Sequence, residues 1–366
     1  MSKLVVAKIG TSSITDDHGD IDVSAVVRFC DGVAALRAEG HRVVCVTSGA
    51  IAAGLPAVGL GGDRRPTDAV TLQAASAIGQ SRLMRVYDEA FAAHGLVSGQ
   101  VLLAPLDFGI RQQYLHARST LRRLLDLGVV PIVNENDAIA DDEIRFGDND
   151  RLSALVAHLI EADLLVLLTD AAGLLTADPR IDTSASLIEE IVDFDAELEA
   201  MAGGTGTVRG SGGMASKVAA AKMASWSGVQ AVIAAAHRQD VLIDAVNGRA
   251  DVGTVVHRRP KRIAARKLWI AFAVAARGRV VVDEGARRAL LDRGVSLLAA
   301  GIRQAEGKFH ADEAVEIVGP DGVVFAKGLS RLSATDLKAV AGLHTGELPE
   351  GTSPVVVHRD DLVIVP

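Results

Sequence analysis

Six apolar runs rich in Val, Leu and Ile punctuate the first two thirds of the chain. They are 4–10 (LVVAKIG), 42–49 (RVVCVTSG), 97–103 (VSGQVLL), 129–137 (VVPIVNEND), 163–170 (DLLVLLTD) and 230–236 (QAVIAAA). Amphipathic stretches of helical texture separate them, which predicts an α/β fold whose mostly parallel sheet is covered on both faces. Ligands of such sheets gather at the C-terminal ends of the strands. The polar residues that end these runs, Lys8, Ser48, Asn134 to Asp137 and Asp170, are therefore the ones to inspect.

The texture changes at HRRPKRIAARKLWI (257–270), which holds six Lys or Arg and no acid. Beyond Gly278 come short β-like segments with turn signals such as Pro320-Asp321-Gly322. The expected organisation is a first domain over 1–257, a basic joint over 258–277 and a small, mostly β domain over 278–366. A length of 366 residues suits two domains, and 49% hydrophobic with only 3% aromatic residues suits a core of Ala, Val, Leu and Ile. A net charge of −8 argues against general affinity for nucleic acid or anionic membrane. Residues 278–366 carry ten basic against thirteen acidic side chains, a poor footprint for RNA. Cys30 and Cys45 match neither a metal spacing nor a disulfide framework and read as buried thiols. The N-terminus lacks a signal-peptide pattern and no run approaches the ~18 apolar residues of a membrane span, so a cytoplasmic location is expected.

Five elements carry candidate chemistry. Lys8-Ile9-Gly10-Thr11-Ser12-Ser13 sets an ammonium group, a residue without Cβ and hydroxyls at one strand end, the outline of a phosphate cradle. Alone, that pattern favours the plainer reading of an exposed strand-end lysine with a glycine turn. Gly210 to Lys217 (GSGGMASK) leads into a helical run, so the loop offers N–H groups at a helix N-terminus. Lys217 in that first turn opposes the helix dipole unless an anion accompanies it. Neither G-x-x-x-x-G-K-[ST] nor a strand-following G-x-G-x-x-G is present. Asn134 to Asp137 and Gly147 to Arg151 (GDNDR) collect amide and carboxylate groups; helix capping explains one of them, and an Asp between two lysines holds both in place. Ser48-Gly49 precedes a helical run, where Ser48 reads either as an anion contact or as an N-cap, and Thr169-Asp170 ends a strand. No histidine pairs with a nucleophile at telling spacing; His158 lies in an apolar helical run and reads as structural.

In this order the strings AKIGTSS, VTSGAIAAG, PIVNENDAI, GDNDRLSAL, LLTDAAGLLTADPR and GSGGMASK resemble the amino-acid kinase family. The likeness is tightest to members that phosphorylate the γ-carboxylate of L-glutamate to glutamyl 5-phosphate, the first step of proline biosynthesis. Members acting on acetylglutamate or aspartate are the alternatives, as is RNA binding through the C-terminal part. There, VVVDEGARRALLDRGVSLLAAGI, GLSR and VVVHRDD resemble a PUA domain. The resemblance implies a three-layer αβα sandwich, ATP with Mg2+, and Lys8 and Lys217 on the transferring phosphoryl group, aligned by Asp150. It implies ATP held by Lys8, Gly10, Thr169, Asp170, Ser211, Gly212, Gly213, Met214, Ala215, Ser216 and Lys217. Glutamate would be held by Ser48, Gly49, Asn134, Asp137, Asp148 and Asn149. Direct Mg2+ ligands are left unassigned. Further implications are proline as a feedback inhibitor through the region from Asp107 to Asp148, a homodimer or homotetramer, and handover of product to a glutamyl phosphate reductase. The family usually has Thr where this chain has Ser211 and Ser216. A carboxylate with a reference pKa of about 4.3 is ionised at neutral pH, so this chemistry requires no general base.

Overall fold

The structure is a computed structural model that describes all residues except 17, 61–65, 140–148, 178–180, 183, 195–197, 199–212, 261, 273 and 366. It divides into two compact units, Met1–Arg262 and Ile263–Pro366. Each unit has a sheet of its own.

In the first unit all six apolar runs form strands: β1 (Leu4–Ile9), β2 (Arg42–Thr47), β3 (Ser98–Leu103), β4 (Val130–Glu135), β5 (Leu164–Thr169) and, after a short β6 (Glu190–Ile191), β7 (Gln230–Ala235). With β8 (Thr254–Val256) they build an eight-stranded sheet of order β3-β4-β2-β1-β5-β7-β8-β6. The six long strands run parallel, and β8 meets β7 antiparallel while pairing parallel with β6. Residues fully buried along β1 and β5 explain their unbroken apolar sequence, since both faces are covered.

The helices that cover it are α1 (Thr11–Ile14), α2 (Val23–Ala38), α3 (Ala50–Gly54), α4 (Ala69–Ala92), α5 (Pro105–Gly109), α6 (Arg111–Asp126), α7 (Asn149–Ile160), α8 (Met214–Trp226) and α9 (Val241–Asn247). Asp22 and Asp68 cap α2 and α4 by accepting from the N–H groups of Ala25 and Thr71. On one face Val5, Ala7 and Ile9 of β1 pack with Val26, Phe29 and Val33 of α2 and Leu83 and Tyr87 of α4. Strand alternation turns Lys8 to the other face, where α7 lies against β1 and α8 against α7. Three layers result. Ile9 stands opposite Thr47 and Leu168, so β1, β2 and β5 end level and present their terminal residues together.

Two glycines let α3 and α4 touch backbone to backbone. A Cβ on Gly79 would lie 1.8 Å from the carbonyl oxygen of Ala50, and one on Gly54 would lie 1.9 Å from that of Ala75. Gly79→Ala is therefore expected to force the helices apart, at a cost on the order of 1–3 kcal/mol. Thermal denaturation checks this, and an unchanged melting temperature would contradict it.

In the second unit β9 (Gly278–Val282), β11 (Ile302–Gly307), β12 (Ala314–Val318), β13 (Val324–Leu329) and β15 (Leu362–Ile364) form a sheet of order β11-β9-β12-β13-β15, while β10 (Leu297–Leu298) pairs with β14 (Val355–Val357). The β12–β13 hairpin turns through Pro320-Asp321-Gly322, with Gly322 at φ +79° and the N–H of Val323 donating to Asp321 Oδ1 at 3.1 Å. Its core includes Val280, Ile317, Phe325 and Leu337. Part of the basic stretch is folded: Ala265–Phe272 is a helix, α10, with Leu268 and Ile270 buried. Among the described residues no helix is long and apolar enough to cross a membrane.

Candidate active site

Asp150 lies in the first turn of α7 with its side chain fully buried. Its Oδ1 is 2.5 Å from Lys8 Nζ, and its Oδ2 is 3.2 Å from Lys217 Nζ. Lys8 comes from the end of β1 and Lys217 from the first turn of α8, and neither side chain is more than 8% exposed. Burial alone would raise the Asp150 carboxyl; the two ammonium groups and a Ser216 hydrogen bond overcome it and hold the group below the usual carboxylate range. Ser216 Oγ sits 2.6 Å from Asp150 Oδ2 and 2.8 Å from the carbonyl oxygen of Gly213. The anion that the position of Lys217 calls for is thus supplied by the protein. A carboxylate bridging two buried lysines fixes two positive charges at the same strand ends, an arrangement suited to an anionic, multiply charged group.

The α8 N-terminus begins at Gly213, which makes no side-chain capping hydrogen bond to the first backbone donors of the helix. Gly10 begins α1 in the same way, and a Cβ there would lie 3.2 Å from Lys8 Nζ, so glycine leaves room for the ammonium group. At the end of β5, Thr169 Oγ1 donates to Asp170 Oδ1 at 3.0 Å. Met214 and Ala215 open α8. Ser211 and Gly212 lie outside the described residues, as does Asp148. Among the described residues no three His, Cys, Asp or Glu side chains group as a metal cluster.

Ser48 is not the cap of α3. That position belongs to Gly49, whose φ of +97° favours glycine. The Ser48 hydroxyl instead accepts from Asn149 Nδ2 at 3.0 Å, joining the end of β2 to the start of α7 beside Asp150. At the end of β4, Asp137 Oδ2 accepts from Ser76 Oγ at 3.2 Å, and Asn134 Nδ2 donates to Gln80 Oε1 at 2.8 Å. Burial raises the Asp137 carboxyl, and the Ser76 hydrogen bond only partly offsets it. Ser76 and Gln80, one turn apart on α4, escape sequence reasoning because they belong to no glycine-rich or acidic string. Two polar residues at helical spacing in an otherwise small and apolar stretch are their only mark. His158 is mostly buried and pushed down to about 4, chiefly by burial, so it is neutral at physiological pH.

The family model for the amino acid kinase family matches residues 3–235, and the model for the PUA domain matches residues 278–351. Curated proteins named glutamate 5-kinase from Burkholderia multivorans and Burkholderia cenocepacia are each 47% identical over all of this chain and 98% of their own length. Among solved structures, a carbamate kinase from Giardia lamblia bound to AMP-PNP is 20% identical at a TM-score of 0.49, over 70% of this chain and 99% of that one.

Proposed function

We propose that this chain, which belongs to the amino acid kinase family and carries a C-terminal PUA domain, transfers the γ-phosphoryl group of ATP to the γ-carboxylate of L-glutamate. The observation that carries the reading is the buried Lys8–Asp150–Lys217 bridge at the ends of β1, α7 and α8. Glutamate as acceptor draws on the name borne by relatives 47% identical over the full chain.

The chemical difficulty is electrostatic. An anionic carboxylate must approach an anionic phosphoryl group, and no proton needs removing because the nucleophile is already ionised. Lys8 and Lys217, held apart by Asp150, offset that repulsion and stabilise charge on the transferring oxygens without reorganising during reaction. The Ser48–Asn149 pair lies beside this centre and holds the γ-carboxylate in line. Asp137 takes the α-ammonium group. Asp170, the residue after β5, is the acid that would help to hold a Mg2+ ion accompanying ATP, and such an ion would supply further positive charge against the repulsion between the two anions. Proline, a compact analogue of the same amino-acid head group, inhibits through the region from Asp107 to Asp148, between the glutamate elements. Initial rates measured against glutamate at several proline concentrations test that part, and rates indifferent to millimolar proline would remove it.

Hydroxylamine traps acyl phosphates. Incubation of enzyme and MgATP with hydroxylamine and glutamate is expected to give a hydroxamate, whereas N-acetylglutamate and aspartate give little. Trapping from either of those in preference to glutamate would overturn the substrate assignment.

Asp137 supplies a pH signature. Its raised pKa means that the carboxylate is lost at a higher pH than in an ordinary aspartate, and the neutral form holds an ammonium group poorly. The KM for glutamate is therefore expected to rise as pH falls through this elevated value, and Asp137→Asn should raise KM at all pH values and abolish that limb. A limb that persists in the variant would assign it elsewhere.

A further inference from the structure

Gln80 is 8% exposed, and a short chain of hydrogen bonds sets which way its amide faces. The backbone N–H of Glu135 donates to Asn134 Oδ1 at 2.9 Å, so Asn134 must use its NH2 group on the other side. That NH2 donates to Gln80 Oε1 at 2.8 Å. The oxygen of Gln80 is thereby committed to Asn134, and its NH2 is the end left over. Gln80 Nε2 is buried and has no acceptor among the described residues. A buried amide donor without an acceptor is a costly feature that a bound anion or carbonyl would satisfy.

One turn earlier on the same helix, Ser76 donates to Asp137 Oδ2. Residues four apart on a helix are neighbours on one face, so α4 brings an acceptor of positive charge, Asp137, close to a buried donor, Gln80. Such a pair complements the zwitterionic end of a free amino acid, whose ammonium and carboxylate share one carbon. The γ-carboxylate is accounted for at the opposite end by Ser48 and Asn149 beside Asp150. We infer that Gln80 reads the α-carboxylate of the amino-acid substrate and makes the enzyme discriminate against acceptors whose α-carboxylate is amidated or peptide-bonded. This rests on the glutamate reading above.

The test compares kcat and KM for L-glutamate and for its α-amide, which keeps the γ-carboxylate and ammonium group but has lost the α-negative charge. Wild-type enzyme, Gln80→Leu and Gln80→Glu are measured, with melting temperatures alongside. Wild-type enzyme is expected to favour glutamate by roughly tenfold or more in kcat/KM, the difference between a charge-assisted and a neutral hydrogen bond. Gln80→Leu should raise the KM for glutamate by roughly tenfold, change kcat less and shrink the preference. Gln80→Glu retains an oxygen for Asn134, and so its fold, but places a negative charge where the α-carboxylate sits. Its preference should therefore turn toward the α-amide, an effect that a merely structural Gln80 would not produce. A stably folded Gln80→Glu enzyme with wild-type KM and wild-type preference would overturn the inference, as would a donor satisfied by solvent alone. Failure of wild-type enzyme to turn over glutamate at all would instead overturn the functional reading, and this inference with it.

Discussion

Asp150→Ala is expected to be among the most damaging single substitutions, lowering stability by about 3–5 kcal/mol and turnover by more than the loss of either lysine alone. The reason is placement rather than number of contacts. Asp150 is fully buried and its two oxygens serve two different ammonium groups, so removing it brings two buried positive charges together without the anion between them. Asp150→Asn keeps the shape and separates the effect of charge from that of volume. The sign of the pH dependence follows from the depressed pKa. A carboxylate held below its unfolded value of about 3.9 contributes stability above that value and loses the contribution as pH falls through the depressed folded value. The gap between wild type and Asp150→Asn in urea denaturation should thus be full near neutral pH and narrow in acid. A gap that widens in acid, or none at neutral pH, would contradict the bridging role.

Lys217→Ala is expected to lower kcat by roughly 10²-fold or more while changing the KM for glutamate much less. Asp150 retains its 2.5 Å contact with Lys8 in that variant, so the fold should survive and the loss can be read as catalytic. Lys217→Arg should rescue poorly, because a compact ammonium group fits between Asp150 and the α8 N-terminus and a planar, longer guanidinium does not. Steady-state rates against both substrates decide the matter, and near-normal turnover of Lys217→Ala would remove Lys217 from the chemistry.

The central sheet was readable because its long strands are apolar runs, of which β1, β2, β4 and β5 stop at Gly, Ser, Asn or Asp, and β1 to β5 and β7 follow those runs closely. Strands β6 and β8, two and three residues long, are too short to show a period. The same endings exposed Lys8, Ser48 and Asp170, since a polar residue closing an apolar run is conspicuous. What they do was less legible. Ser48 has the sequence context of a helix cap, yet Gly49 occupies that position and the hydroxyl goes to Asn149, 101 residues away. Lys217 announced the need for an anion, but its partner lies 67 residues earlier. Ser76 and Gln80 owe their roles to residues 61 and 54 positions further on, a relation that only the packing of α4 across the end of β4 creates. The backbone contact of Gly54 with α4 is likewise invisible in a sequence where Gly is common.

The most direct test of the proposal follows the oxygen atoms. Glutamate carrying oxygen-18 in its γ-carboxylate is incubated with enzyme and MgATP, and the acyl phosphate is left to cyclise, the α-amine attacking the activated carbonyl and expelling phosphate with the bridging oxygen. Attack by the γ-carboxylate on phosphorus places one labelled oxygen in each phosphate released this way. Phosphate that appears only unlabelled, or labelled only when the α-carboxylate carries the isotope, would contradict it.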